Sequence, residues 1–244
     1  MSETARVRMD GAMALARKLK KPVDLASAYS YAAGLHLFFG EIDRAREYAE
    51  ALLEVATDQH MPFYEADGII LRGRAIADSG EGARGIEMMR DGVRQQISNG
   101  QRVGLGYYLA LLGEAQMRAG ALEDALASTE EALTAVPEER VDHPRLLHLR
   151  GEIHAALATA GAGEPGDHER LAELSLQDAL SVAAAIGAKM SGLRAATVLS
   201  RLLKSLGRGT EARDILAPLY GAFTEGLDTP ALGEAKALLD ELSS

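Results

Sequence analysis

The stretch "DHPRLLHLRGEIH" holds the densest group of side chains that could bind a metal ion. It contains His143, His148, Glu152 and His154, and the spacing of four between His148 and Glu152 puts both on one face of a helix. The spacing is not H-E-x-x-H, and no third and fourth ligand follows at zinc spacing. We therefore interpret these histidines as solvated or packed between helices, and we expect neither a metal nor a cofactor.

Two glycine-rich segments, Gly80–Gly85 and Gly161–Gly166, match the dinucleotide-binding pattern G-x-G-x-x-G. That pattern binds phosphate only between a strand and a helix, and no strand is predicted before either segment. We interpret the first as a turn in a repeat and the second as an insertion loop.

Adjacent acidic residues are the third feature that could suggest catalysis. They are Glu123/Asp124, Glu130/Glu131 and Glu138/Glu139. General acid–base catalysis needs two carboxylates that converge in a closed pocket, whereas neighbouring side chains on a helix diverge. With no nucleophile pattern or phosphate loop elsewhere, we predict that the protein is not an enzyme.

The composition restricts the kinds of partner. The net charge is −10, Trp is absent and aromatic residues make up 5%, which argues against nucleic acid. The charged segment 1–21 does not resemble a signal peptide, and no apolar run approaches the length of a membrane span. Cysteine is absent. We expect a cytoplasmic protein that does not contact membranes.

An internal repeat organises the chain. Gly40, Gly80 and Gly120 recur at every fortieth position, and they and Gly207 are each followed five residues later by alanine or glycine. Between Gly120 and Gly207 there are seven residues more than two periods, which "AGAGEPGDHE" can absorb. On that register Asp167 takes the turn position of the fourth unit, and Ala172 and Ala179 match Ala125 and Ala132.

Each unit has apolar residues at helical spacing on both sides of its turn, which predicts a helical hairpin. Small residues seven before the turn (Ala33, Gly73 and Gly113) should face the small residues of the second helix. The prolines at 22, 62, 137, 144, 165 and 230 fall at predicted boundaries. Pro218 does not, and predicts a kink or a break into two helices. Asp24 and Asp142 are predicted N-caps.

Helical hairpins with small residues at these positions resemble the tetratricopeptide repeat (TPR). The resemblance implies an all-α fold, a right-handed α-α superhelix of about five hairpins in one domain, residues 1–244. Its parts would be an N-terminal capping helix in 1–21 (near 4–20), repeats over 24–226, and a C-terminal capping helix in 229–244.

A narrower resemblance covers residues 193–242, most specifically "LYGAFTEGLDTPALGEAKALLDEL". This segment is similar to the C-terminal TPR region of bacterial multidomain signalling regulators, in which a class III adenylate or guanylate cyclase, or a transcriptional regulator, is joined to an AAA/STAND ATPase. The catalytic motifs of such regulators are absent from this sequence. The resemblance therefore implies a bacterial regulatory or scaffolding module.

The first helix of each hairpin lines a concave groove in repeats of this kind. Carried onto this sequence, the groove positions are Ser27, Ser30 and Phe38, then Asp67, Arg74 and Asp78, then Tyr107, Glu114 and Arg118, then His148, and finally Arg194, Arg201 and Lys204. The C-terminal end of this groove would be basic, which favours a protein or peptide segment that carries acidic groups. The alternative is that these side chains only keep the inner surface soluble.

These features predict a non-catalytic protein- or peptide-binding scaffold of a signalling system. One alternative is a small-molecule sensor with its ligand enclosed near Tyr107, Arg74 and Glu114. Another is a homo-oligomer that forms through the end helices.

Overall fold

The computed structural model describes residues 3–135, 142–164, 166–227 and 229–243, which form twelve α-helices and no β-strand. None of these helices is both long and apolar enough to cross a membrane. The prediction of an all-α fold is confirmed for this part of the chain. The helices are α1 (Glu3–Leu19), α2 (Pro22–Phe38), α3 (Ile42–Asp58), α4 (Pro62–Asp78), α5 (Gly82–Ser98), α6 (Leu105–Arg118), α7 (Leu122–Ala135), α8 (His143–Thr159), α9 (Asp167–Ala185), α10 (Lys189–Ser205), α11 (Gly209–Gly221) and α12 (Pro230–Glu241).

Proline positions explain four of the helix starts. Pro22, Pro62, Pro144 and Pro230 each lie in the first two positions of a helix, as predicted, because an N-terminal proline has no amide that the helix needs. The predicted start at Asp24 is wrong: α2 begins at Pro22, which puts Asp24 in the first turn. Pro137 and Pro165 lie outside the described residues.

Two further boundary predictions have mixed outcomes. Pro218 lies inside α11, which runs as one helix and ends three residues later, so the predicted break into two helices is wrong. Asp142 is the N-cap residue of α8, as predicted, but its side chain makes no capping hydrogen bond.

A left-handed residue follows most helices and reverses the chain. In the first half these residues are spaced by 20: Lys20, Gly40, His60, Gly80, Gly100 and Gly120 all have positive φ. At Gly40, for example, the amides of Gly40 and Glu41 donate to the carbonyls of Leu37 and His36, which satisfies the last groups of α2. The turn therefore recurs after every helix of this half, at half the period that the sequence suggested.

The turn of the fourth hairpin is Gly161 rather than Asp167. Gly161 has φ +70° and stands two residues after the end of α8, as Gly40 does after α2, while Asp167 is the first residue of α9. The extra residues thus follow the turn glycine instead of preceding the turn. Ala172 and Ala179 are fully buried, in agreement with the predicted register.

The chain consists of two compact units, Met1–Ala121 and Leu122–Ser244. In unit 1, α2, α4 and α6 contact one another in order, and we call them the first layer. On the other side, α3 packs between α2 and α4, and α5 between α4 and α6, and the described residues of α3 and α5 do not contact each other. The first layer is the tighter one and so forms the concave side of this unit. That the chain is one solenoid domain stays a prediction.

The two helices of the second hairpin approach closely at Gly73 and Gly85. A Cβ atom added to Gly85 would lie 2.4 Å from the carbonyl oxygen of Gly73, and one added to Gly73 would lie 2.8 Å from that of Gly85. The small residues predicted for this crossing are therefore required there, because any side chain would separate α4 from α5.

In unit 2, α8, α10 and α12 contact one another in the same way, with α9 packed against α8 and α10. Leu193, Leu216, Leu232 and Leu238 form a buried cluster between α10, α11 and α12. The C-terminal helix thus takes the place of a further first helix.

We predict that Gly40→Ala lowers the free energy of unfolding by about 1–2 kcal/mol, because alanine is strained at φ +72°. Gly11→Ala is the matched control: this glycine lies inside α1, so alanine should raise stability by about 0.5–1 kcal/mol. An added Cβ meets nothing within 4 Å at either site. Urea unfolding measures both changes, and equal effects would contradict the role of the turn.

Candidate functional site

The repeat puts equivalent side chains of unit 1 side by side. The first-layer positions are Ser27, Gly34 and Phe38 on α2, Asp67, Arg74 and Asp78 on α4, and Tyr107, Glu114 and Arg118 on α6. Each set has the spacing i, i+7 and i+11, which is one face of a helix. Unit 1 therefore brings together the six groove residues predicted on α4 and α6.

Arg74, Asp78, Glu114 and Arg118 form one ion-pair network, here called the Arg74 cluster. Arg74 donates from Nε to Oδ2 of Asp78 at 2.8 Å, and from Nη1 to Oε2 of Glu114 at 3.1 Å. Arg118 donates from Nη1 to Oδ1 of Asp78 at 2.5 Å. The four charges cancel, so the cluster presents no net charge.

Arg74 is the internal member of this cluster. Its side chain is 4% exposed, against 50% for Arg118. Its Nη1 also donates to the backbone carbonyl of Leu111 at 3.0 Å, so that one guanidinium fastens α4 to α6. Arg74 therefore supports the concave surface, whereas Arg118 is accessible to a partner. The space near Tyr107 that the small-molecule alternative requires contains this Arg74–Glu114 pair.

Asp67 is the second buried charge of the first layer. It is 3% exposed, and its Oδ1 accepts from Nε2 of Gln96 on α5 at 2.7 Å. Burial raises the pKa of Asp67 to about 6, while hydrogen bonds from Tyr108, Gln96 and Ser30 oppose that rise. Burial and the nearby Asp67 carboxylate also raise the pKa of Tyr108. This Asp67 cluster links α2, α4, α5 and α6.

Aromatic side chains lie on the exposed part of the first layer. Tyr31 is 80% exposed and Phe38 is 56% exposed, and they share with Ser27 and Gly34 one face of α2, here called the α2 stripe. The half-buried Tyr107 reaches from α6 to this stripe: a Cβ atom added to Gly34 would lie 3.0 Å from its hydroxyl oxygen. Large exposed aromatic rings beside a rigid ionic floor are typical of protein-binding surfaces.

Unit 2 holds the other predicted groove residues, and carboxylates already meet two of its basic ones. Lys204 pairs with Glu241 of α12 at 2.5 Å, and Nη2 of Arg201 lies 4.0 Å from Glu234 of α12. Arg194 is exposed. His148 is half-buried, and its Nε2 lies 3.3 Å from Oε2 of Glu152, as their spacing predicted. An acidic partner at α10 would thus compete with α12.

A cleft of about 240 Å³ lies between α7, α8 and α9 of unit 2. Arg150 donates from Nε to Oγ of Ser175 at 2.9 Å, and its other nitrogens lie 3.5 Å from Glu130 and 3.8 Å from Asp178. Leu171 and Leu174 form its apolar part. Because these interactions occupy the Arg150 guanidinium, an anionic ligand would have to displace them.

His154 contacts a histidine that the spacing pattern did not single out. The Nδ1 atoms of His154 and His168 are 3.0 Å apart, and burial, with His168 and Arg150 nearby, lowers the pKa of His154. Across the described ranges no three His, Cys, Asp or Glu side chains are placed to hold a metal ion.

The glycine and acidic motifs have structural roles. Helices, not strands, precede Gly80–Gly85 and Gly161–Gly166, which contain the turn glycines Gly80 and Gly161. Glu123, Asp124 and Glu131 are exposed, and Glu130 pairs with Arg150. Glu138 and Glu139 lie outside the described residues.

Sequence reasoning missed Tyr31, Gln96 and Tyr108. Tyr31 could have been found, since it lies four residues after Ser27 and three before Gly34, on the predicted groove face. Gln96 belongs to a second helix, and Tyr108 looked like an apolar core residue. Their roles depend on hydrogen bonds to Asp67 that spacing alone does not reveal.

No protein-family model matches this sequence, and no curated protein matches it. Solved structures do match in three dimensions. A candidate kinesin light chain from Podosopora anserina, with nearly identical TPR-like repeats, aligns at 16% identity and a TM-score of 0.56 over 91% of this chain and 98% of its own. A point variant of that protein aligns at 18% identity and a TM-score of 0.58, over 82% and 94%.

BtubC (BKLC) from P. vanneervenii aligns over all of this chain and 91% of its own, at 14% identity and a TM-score of 0.62. These similarities show the fold: the chain has the all-α, superhelical repeat architecture of TPR-like proteins.

We predict that Arg74→Met costs about 3 kcal/mol of unfolding free energy, because it leaves Asp78 and Glu114 half-paired in a largely buried position. Arg118→Met removes an exposed partner of the same carboxylates and should cost less than about 1 kcal/mol. Chemical denaturation of both variants tests this order. Equal losses would show that Arg74 has no special structural role.

The raised pKa of Asp67 predicts a pH-dependent stability. Between pH 3.8 and about 6 the folded state binds more protons at Asp67 than the unfolded state does. The contribution is therefore fully present below about pH 4 and is lost as the pH rises through 6. Relative to Asp67→Asn, the wild type should lose about 2–3 kcal/mol between pH 4 and pH 7.

Unfolding at both pH values, with a carbon NMR titration of Asp67, measures this dependence. A parallel pH dependence in the two proteins would contradict it.

Proposed function

We propose that the protein is a non-catalytic scaffold that binds a protein or peptide segment on the first layer of unit 1. The observation that supports this proposal most is the α2 stripe, where Tyr31 and Phe38 expose 80% and 56% of their surfaces. Burying such rings against a partner releases water from a large apolar area, which favours binding.

The floor beside the stripe is pre-organised. Arg74 and Asp67 are each 3% exposed and bind residues of neighbouring helices. A surface held in this way loses little conformational entropy when a partner binds. Rigid hairpins that present adaptable exposed side chains suit a scaffold.

The partner should carry an apolar or aromatic anchor for the α2 stripe. The Arg74 cluster is electrically balanced, so long-range charge attraction contributes little there. An acidic segment is the further hypothesis for α10, where Arg194, Arg201 and Lys204 lie. Such a segment would have to replace Glu234 and Glu241 of α12 as the partner of Arg201 and Lys204.

We also propose that this scaffold serves as a regulatory module of a bacterial signalling system in the cytoplasm. The support is the resemblance of residues 193–242 to the C-terminal repeats of such regulators. Partner binding would then be relayed to an attached or associated signalling protein through a shift in the population of conformations.

Selection of a random peptide library on the immobilised protein tests the binding proposal. We expect the selected peptides to contain aromatic or large apolar anchors. Their affinity for Tyr31→Ser combined with Phe38→Ser should fall at least tenfold, or about 1.4 kcal/mol. The control variant is Leu174→Ser combined with Val103→Ser, which removes two other exposed apolar side chains (46% and 72% exposed).

Circular dichroism and thermal unfolding should show both double variants folded. Equal affinity for both double variants would remove the α2 stripe as the binding surface.

A further inference from the structure

The helix α1 repeats the register of α3 and α5. Lys20, His60 and Gly100 all have positive φ and end the three helices in the same kind of turn. However, α3 packs between α2 and α4, and α5 between α4 and α6, whereas within the described part of the chain α1 packs against α2 alone. One face of α1 therefore corresponds to the face on which α3 and α5 receive the helix before them.

The residues on this face of α1 match those of α3 and α5 at intervals of 40. Their equivalents are buried: Ala45, Ala49 and Leu52 in α3, and Gly85, Met89 and Gly92 in α5. In α1 the matching residues are small or flexible as well, but Ala12 is exposed and Ala5 and Met9 are only half-buried. The face has the composition of a helix–helix contact without its burial.

Apolar residues also extend onto the part of α1 that is polar in the other two helices. Val7, Leu15 and Leu19 are 60%, 55% and 48% exposed. The equivalents of Val7 are Glu47 and Glu87, and those of Leu19 are Gln59 and Asn99. A surface that only faces water does not need these apolar residues, and their continuity with Ala12 marks a docking face.

The charge around this face distinguishes it from the rest of the molecule. Residues 3–21 carry six basic and two acidic side chains in a chain of net charge −10. Arg8, Arg17, Lys18, Lys20 and Lys21 are exposed, while Arg6 lies 3.5 Å from Glu41. Two copies that paired through α1 would bring these basic residues together, which disfavours a symmetric dimer. An acidic partner is complementary.

We propose that α1 is the docking site for an acidic amphipathic helix of another protein, bound as α4 binds α5. In that arrangement, Gly73 and Ala77 of α4 face Gly85, while Ile70 and Ala66 face Gly92. The docking helix should therefore present small residues at this spacing to Ala5 and Ala12, an apolar edge to Val7 and Leu15, and carboxylates to the flanking basic residues.

The test uses a labelled 17-residue peptide that keeps Ala66, Ile70, Gly73 and Ala77 at the spacing of α4, with glutamates at the outward positions. We expect fluorescence anisotropy to show binding to the whole chain that weakens with salt. A peptide with lysines in place of the glutamates should bind at least tenfold more weakly. Val7→Glu combined with Leu15→Glu should also reduce binding at least tenfold.

The control Val103→Glu changes an equally exposed apolar residue outside α1 and should leave binding unchanged, as should Tyr31→Ser with Phe38→Ser. Circular dichroism checks that each variant is folded. Equal binding of the acidic and basic peptides, or full binding by the double glutamate variant, would overturn the proposal.

Two other occupants would also overturn the proposal if they replaced the peptide. A concentration-dependent dimer in sedimentation that the double glutamate variant abolishes, without peptide binding, would identify a second copy. Binding to vesicles that contain anionic phosphatidylserine, again without peptide binding, would identify a lipid surface.

Discussion

The left-handed turn after each helix is the constraint on which unit 1 depends. A positive φ at Lys20, Gly40, His60, Gly80, Gly100 and Gly120 reverses the chain at every twentieth position. Since two reversals bring back a helix of the same kind, any position on α2 has its counterpart on α4 and α6. The glycines supply this conformation without steric cost, while Lys20 and His60 adopt it against the preference of their side chains.

The fixed register explains why the polar residues of the first layer interact. Arg74 and Glu114 occupy the same repeat position, and so do Asp78 and Arg118, so opposite charges alternate between neighbouring helices. An identical residue in every repeat would place like charges side by side in a largely buried layer, which is costly. The repeat is therefore regular in its backbone and packing positions but varied in its groove residues, and that variation gives each groove its own chemistry.

The sequence predicted the features that spacing determines, namely the helical hairpins, the buried alanines and the meeting of Arg74 with Glu114. It could not predict features that depend on three-dimensional competition for polar partners. Spacing gave Arg74 and Arg118 equal status, although one is buried and the other exposed. It likewise could not show that Glu234 and Glu241 of α12 meet the basic residues of α10. The turn at Gly161 was misplaced because an insertion can stand on either side of a turn glycine.

The two terminal helices differ in the kind of surface they leave open. The outward residues of α12, such as Glu234, Lys236 and Asp240, are polar, so unit 2 ends in a surface that water solvates well. The exposed residues of α1 instead include Val7, Leu15 and Leu19 among basic side chains. A repeat protein needs a polar outer face on its last helix, because an apolar end invites further stacking. Unit 2 meets this requirement, whereas the apolar face of α1 leaves unit 1 able to accept another helix.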